Sequence, residues 1–139
     1  MRPALVPELI VSDLERSLDF YRGLLGFKIL YARPKERFAY LDRNGAELML
    51  EQPHARDRLW PRAELVAPFG RGVNFEIHVD DVDVVHKAVR DAGFALFLPL
   101  EEKWYGRDGQ ELGVRQFAVQ DPDGYLIRLS QAIGTRPAA

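Results

Sequence analysis

The chain has 139 residues, the size of one ordinary folded domain, and its 47% hydrophobic and 29% charged residues exclude whole-chain disorder. The 19 basic and 21 acidic residues leave a net charge of −2, which argues against a nucleic-acid binder with a basic stripe. There is no cysteine, so disulfides, thiolate metal sites and thiol nucleophiles are excluded; no apolar run reaches the roughly 18 residues of a membrane span, no signal-peptide pattern is present, and the expected location is the cytoplasm.

Leu5–Val11 is a short apolar run of strand character. Ser12 or Asp13 then caps a helix, because either side chain can accept from the orphan backbone N–H groups of a first turn. Apolar residues at Leu14, Leu18, Tyr21 and Leu25 give helical spacing, and Gly26 supplies a left-handed stop. Three strands are expected at 27–32, 37–41 and 46–51, the last two joined by the turn Asp42-Arg43-Asn44-Gly45. Residues 53–72, with Pro53, Pro61, Pro68, Gly70 and Gly72, read as a long irregular connector. Val73–Val79 alternates cleanly as a strand, Asp80-Asp81 is a cap, Val82, Val85, Val89 and Ala92 form a helical stripe, and Gly93 ends it. Strands are expected at 94–98, 114–120 and 125–130, with a polar loop around 101–113 and the turn Asp121-Pro122-Asp123-Gly124 between the last two strands.

The opening unit therefore occurs twice. Val11-Ser12-Asp13 matches Val79-Asp80-Asp81 at an offset of 68 residues, and the hairpin turns Asp42-x-x-Gly45 and Asp121-x-x-Gly124 match at 79. Each half has the order β-α-β-β-β. The fold class expected is α+β: two tandem β-α-β-β-β modules forming a curved mixed sheet around a cup. Module one spans about 4–52, the connector 53–72, and module two about 73–132. Each is too small to build a large core alone.

Strand alternation assigns faces. Leu5, Leu9, Val11, Leu48, Leu50, Val73, Phe75, Ile77, Val79, Tyr125, Ile127 and Leu129 are expected against the helices. Val6, Glu8, Ile10, Glu47, Met49, Glu51, Asn74, Glu76, His78, Leu126, Arg128 and Ser130 are expected toward the cup.

The segments Val11-Ser12-Asp13-Leu14-Glu15-Arg16-Ser17-Leu18-Asp19-Phe20-Tyr21, Leu25-Gly26-Phe27, Val79-Asp80-Asp81 and Phe117–Tyr125 make the chain resemble the vicinal oxygen chelate superfamily. That group includes glyoxalase I, extradiol dioxygenases, fosfomycin resistance enzymes and bleomycin resistance proteins. The resemblance implies a divalent metal in the cup of the enzymes, held by His, Gln or Glu from the first and fourth strands of each half. The matching positions here are Val6, Met49, Asn74 and Arg128. Valine cannot coordinate, a thioether is soft, an amide is weak and a guanidinium is a permanent cation, so no metal and no cofactor are expected. The metal-free branch, similar to bleomycin resistance proteins, implies drug capture without chemistry and a homodimer. Glu101-Glu102-Lys103-Trp104-Tyr105-Gly106 and Arg115–Val119 look like the Trp-Gly loop and following strand of that branch, lengthened by the polar stretch 107–113.

Ligand-binding candidates follow from face and chemistry. Glu8 and Glu76, related by the repeat, suit a basic ligand or an ion network with Arg128. Phe38, Tyr40, Trp60, Trp104 and Tyr105 are aromatic walls for a planar ligand. His78 is the cup-facing histidine, and Met49 and Asn74 complete the surface. No catalytic residue is assigned. The expected function is capture of a planar or cationic small molecule by a homodimer, without nucleic-acid or membrane partners. The alternative is an enzyme of the glyoxalase/dioxygenase group with a divergent site, using Glu8, Glu76 or His78 as acid–base groups.

Overall fold

The computed structural model describes residues 3–53 and 65–138. Trp60 and most of the predicted connector lie outside the described residues. The chain divides into two compact units, Met1–Phe69 with Pro122–Gly124, and Gly70–Asp121 with Tyr125–Ala139.

In the first unit, β1 (Glu8–Ile10) leads to α1 (Leu14–Gly23), then β2 (Lys28–Arg33), a short 3-10 turn at Pro34–Glu36, β3 (Phe38–Arg43) and β4 (Ala46–Glu51). The sheet order is β1-β4-β3-β2, with β1 parallel to β4 and the other pairs antiparallel. Asp13 caps α1 by accepting from Arg16 N, and Gly26 turns the chain with φ +79. Leu18, Tyr21 and Leu25 are buried, as are Leu9, Val11, Leu41 and Leu50 on and beside the strands, and the Tyr21 ring meets Phe20 and Phe27 edge-on at 5.2 and 5.7 Å. Residues Pro122–Gly124 belong to this unit: Asp123 accepts from Ser12 N through its side chain and from Phe69 N through its carbonyl.

The second unit repeats the plan. β5 (Asn74–His78), α2 (Val82–Asp91), β6 (Leu96–Arg107), β7 (Gln110–Gln120) and β8 (Leu126–Pro137) form a sheet of order β5-β8-β7-β6, again with the first strand parallel to the last. Asp81 caps α2, accepting from Asp83 N and Val84 N. Val82, Val85 and Val89 bury the stripe that the sequence spacing predicts, over Phe117, Ile127 and Leu129.

Two hydrogen bonds recur in each unit at the offsets of the sequence repeat. Val11 N donates to Glu51 O and Val79 N to Ser130 O, extending the parallel ladder. Leu14 N donates to Gln52 Oε1 and Val82 N to Gln131 Oε1, both at 2.9 Å. Each glutamine thus satisfies the first helical N–H, which has no partner within its own helix.

Three expectations change. Leu5 is 82% exposed and Val73 53% exposed, because β1 begins at Glu8 and β5 at Asn74. The polar stretch around 101–113 is not a loop. It forms the outer parts of two long strands, β6 and β7, turned by Asp108 (φ 52) and Gly109 (φ 77), a pair suited to a tight hairpin. Charged residues on both exposed faces erase the alternation by which a half-buried strand is read. Among the described residues, no helix is long and apolar enough to cross a membrane.

Arg115 on β7 holds Asp83 of α2, its Nη2 donating to Oδ1 at 2.9 Å and its Nε at 3.3 Å. The guanidinium keeps the Asp83 carboxyl below its ordinary value of 3.8. A depressed carboxyl contributes stability that is present above the unfolded value and is lost as pH falls through the folded one. Arg115→Ala should therefore lower the urea midpoint at pH 7, with the gap to the parent protein closing in strong acid. The glutamine latches give a second expectation: Gln52→Ala and Gln131→Ala should each cost about 1–2 kcal/mol in urea unfolding, since each strands a helix N–H.

Candidate functional site

Each sheet has one face under its helix and one face free of it, and the predicted site residues fall on the helix-free faces. On the first sheet, Tyr40 stands opposite Met49, which in turn stands opposite Glu8 on β1. Phe38 and Tyr40 are only 3% and 1% exposed. Tyr31, a residue that sequence reading missed, covers part of both rings. Its ring stacks on Tyr40 at 5.0 Å and 17°, and leans on Phe38 at 6.1 Å. A register shift between Ile29 and Tyr31 makes this possible, since it moves Tyr31 to the helix-free face. Arg33, two residues on, lays its guanidinium over Phe38 at 4.0 Å from the ring centre, and Glu36 holds it at 2.6 Å.

The Tyr40 hydroxyl donates to Glu47 Oε1 at 2.6 Å, a short bond of the charge-assisted kind. The hydroxyl and the ring are thereby both fixed. The result is a rigid aromatic shelf whose outer member, Tyr31, stays partly exposed. Such a shelf can stack a planar group and attract a cation through its ring faces.

The second sheet carries a polar chain instead. Glu76 on β5 and Arg128 on β8 are register partners, with Oε1 and Nη2 3.8 Å apart. The other Glu76 oxygen lies 3.9 Å from Nε2 of His78, whose side chain is 75% exposed. Arg128 Nη1 donates to Gln116 Oε1 at 3.4 Å, and Gln116 Nε2 donates to Tyr105 at 2.7 Å and to Glu101 at 3.3 Å. Gln116 is 1% exposed and anchors the chain, yet nothing in its sequence context marks it as buried. Arg128 Nε and Ser130 Oγ are buried and find no hydrogen-bond partner among the described residues. Asn74 is exposed one pleat before Glu76 on the same face.

Trp104 lies on β6 opposite Gly113 of β7, and the indole packs where a Cβ on Gly113 would sit, at 2.7 Å. Arg136 covers the indole at 4.1 Å. His86, on α2, meets Phe117 edge-on at 5.3 Å.

The donor set at Val6, Met49, Asn74 and Arg128 does not fit a divalent cation. Met49 offers sulfur, Asn74 one amide, Val6 nothing, and Arg128 is a cation beside Glu76. Among the described residues, no three His, Asp or Glu side chains converge as a metal cluster requires.

Two β-α-β-β-β modules, each with one sheet face under its helix and one free of it, are the architecture of one large superfamily, and the comparison with known families agrees. The family model for the Glyoxalase/Bleomycin resistance protein/Dioxygenase superfamily matches residues 5–129, and the chain belongs to that superfamily. Among curated relatives, the bleomycin resistance proteins of Geobacillus stearothermophilus and Staphylococcus aureus are each 27% identical over 139 residues, covering 92% of this chain and 96% of theirs. Among solved structures, TioX from Micromonospora sp. ML1 is 25% identical with a TM-score of 0.68, over 93% of this chain and 95% of that one. A superfamily member from Alicyclobacillus acidocaldarius, 24% identical with a TM-score of 0.59 over 96% of both chains, shares the fold.

The different burial of the shelf rings sets their expected costs. Phe38→Ala should destabilise the protein by about 3–5 kcal/mol, as for a buried aromatic. Tyr31→Ala should cost about 0.5–1.5 kcal/mol, the worth of one ring pair. Urea unfolding of the two variants checks the order.

Proposed function

We propose that the protein binds and sequesters a planar or cationic small molecule, without metal and without turnover, as a homodimer whose ligand site lies at or near the interface between copies. The single observation that carries the reading is the chemistry of the helix-free faces. One presents stacked aromatic rings with Glu47 and Glu8 nearby. The other presents Glu76 and His78 around an Arg128 that occupies a metal-ligand position of the enzymes.

In this reading Tyr31, Phe38, Tyr40 and Met49 supply stacking and apolar contact, with Trp60 and Trp104 as further aromatic walls. Glu8, Glu76 and Asn74 meet the basic or polar groups of the ligand, and His78 lies at the exposed end. Arg128 Nε and Ser130 Oγ offer polar atoms that a ligand can satisfy. Kinship with the bleomycin resistance proteins supports drug capture as the ligand class. The proposal includes a cytoplasmic location, with which a cysteine-free chain is compatible.

Titration of purified protein with bleomycin, followed by tryptophan fluorescence, should saturate at a fixed stoichiometry. Glu76→Gln should weaken binding about tenfold, or about 1.4 kcal/mol. Stoichiometric zinc, nickel or iron in the purified protein would overturn the metal-free reading. Turnover of a glyoxalase or dioxygenase substrate that is lost in Glu76→Gln would instead favour the divergent enzyme.

A further inference from the structure

We infer that two copies of the chain join edge to edge through β6, in one antiparallel register centred on Trp104. This names the surface for the self-association proposed above and rests on that part of the reading. It does not depend on ligand capture.

β6 is an outermost strand of the second sheet, with a neighbour on one side only among the described residues. Natural edge strands are blunted by prolines, bulges and charges, because a free row of N–H and C=O groups pairs with another chain. In β6 the proline and both register shifts lie before Glu101: the shifts fall at Leu96/Leu98 and Leu98/Glu101, and Pro99 sits within the second. From Glu101, opposite Gln116, to Arg107, opposite Gln110, the pairing with β7 runs without interruption. A regular edge segment of this length is a template for a strand.

Charge then selects the occupant and the register. Two identical strands related by a two-fold axis pair antiparallel, and the axis preserves the faces of the sheet. It must therefore pass through a residue rather than between two residues. An axis through Glu102 sets glutamate against glutamate, and one through Lys103 sets lysine against lysine. An axis through Tyr105 sets Lys103 against Arg107 twice. An axis through Trp104 sets Glu101 against Arg107 twice, Lys103 against Tyr105 twice, Glu102 against Gly106 twice, and Trp104 against its own mate. Like charges directly opposite destabilise a sheet, whereas opposite charges and aromatic pairs stabilise it. This register sets opposite charges against each other and no like charges face to face, while the Trp104 indole stays folded over Gly113. Arg107 has no ion-pair partner among the described residues, so the pairing supplies one. The two sheets would join as one of eight strands.

Sedimentation of the parent protein at tens of micromolar should give a dimer, and a monomer overturns the inference. Arg107→Glu places glutamates opposite each other at both ends of the segment and should give a monomer. Exchange of the pair, Glu101→Arg with Arg107→Glu, should restore the dimer. A dimer indifferent to both changes means another interface and overturns the inference. Because the chain lacks cysteine, the register is read directly by oxidation. Opposed residues of an antiparallel pair have Cα atoms about 4.5–5.5 Å apart, within disulfide reach. Trp104→Cys should form a covalent dimer. Lys103→Cys and Tyr105→Cys, each alone, should not, and the two combined should, which keeps the test intact if loss of the indole disturbs the arm. Cross-linking by Lys103→Cys alone overturns the register.

Discussion

The fastening of each helix to the last strand of its own module organises the rest of the structure. A helix begins with N–H groups that lack partners, and Asp13 and Asp81 satisfy some of them locally. The first helical N–H is taken by an amide side chain from the chain just past β4 or within β8. This bond ties helix position to strand position. Since the first strand pairs in parallel with that same last strand, one strand sets the place of helix and neighbour together. The helix-free side of that strand then carries Met49 in one module and Arg128 in the other. Two units built on the same constraint thus present different chemistry, aromatic on one face and ionic on the other.

The ionic face explains why Arg128 is tolerable on a sheet. A guanidinium this close to the interior needs acceptors, and Glu76 and Gln116 supply them from the strands on either side. Gln116 can serve only because Tyr105 and Glu101 take its amide protons. The polar chain thus runs across all four strands of the sheet, from Glu76 on β5 through Arg128 on β8 and Gln116 on β7 to Tyr105 and Glu101 on β6.

Much of this was legible in the residues themselves. Caps, helical stripes, glycine stops and hairpin turns are local, and the repeat in the residues places them in two modules. Faces were readable where one side is apolar, as at Leu48, Leu50, Ile127 and Leu129. The rest depended on information that is not local. Tyr31 could not be placed, because a count of alternation from Ile29 puts it under the helix until the register shift is known. Gln116 reads as a surface residue in its own neighbourhood, since burial of a polar amide is decided by partners on other strands. The outer half of the β6–β7 hairpin reads as a loop because solvent on both faces leaves no hydrophobic period.

The register shift in β2 has an evolutionary consequence. A bulge takes up one extra residue in a strand and lets the residues beyond it keep their cross-strand partners. Leu30 is that extra residue, lying between Ile29 opposite Leu41 and Tyr31 opposite Tyr40, so its loss would straighten β2 and leave Tyr31 and Arg33 on the aromatic shelf. The shelf of this module is therefore buffered against a change of one residue in the length of its edge strand, and relatives with or without the bulge can present the same rings on the same framework.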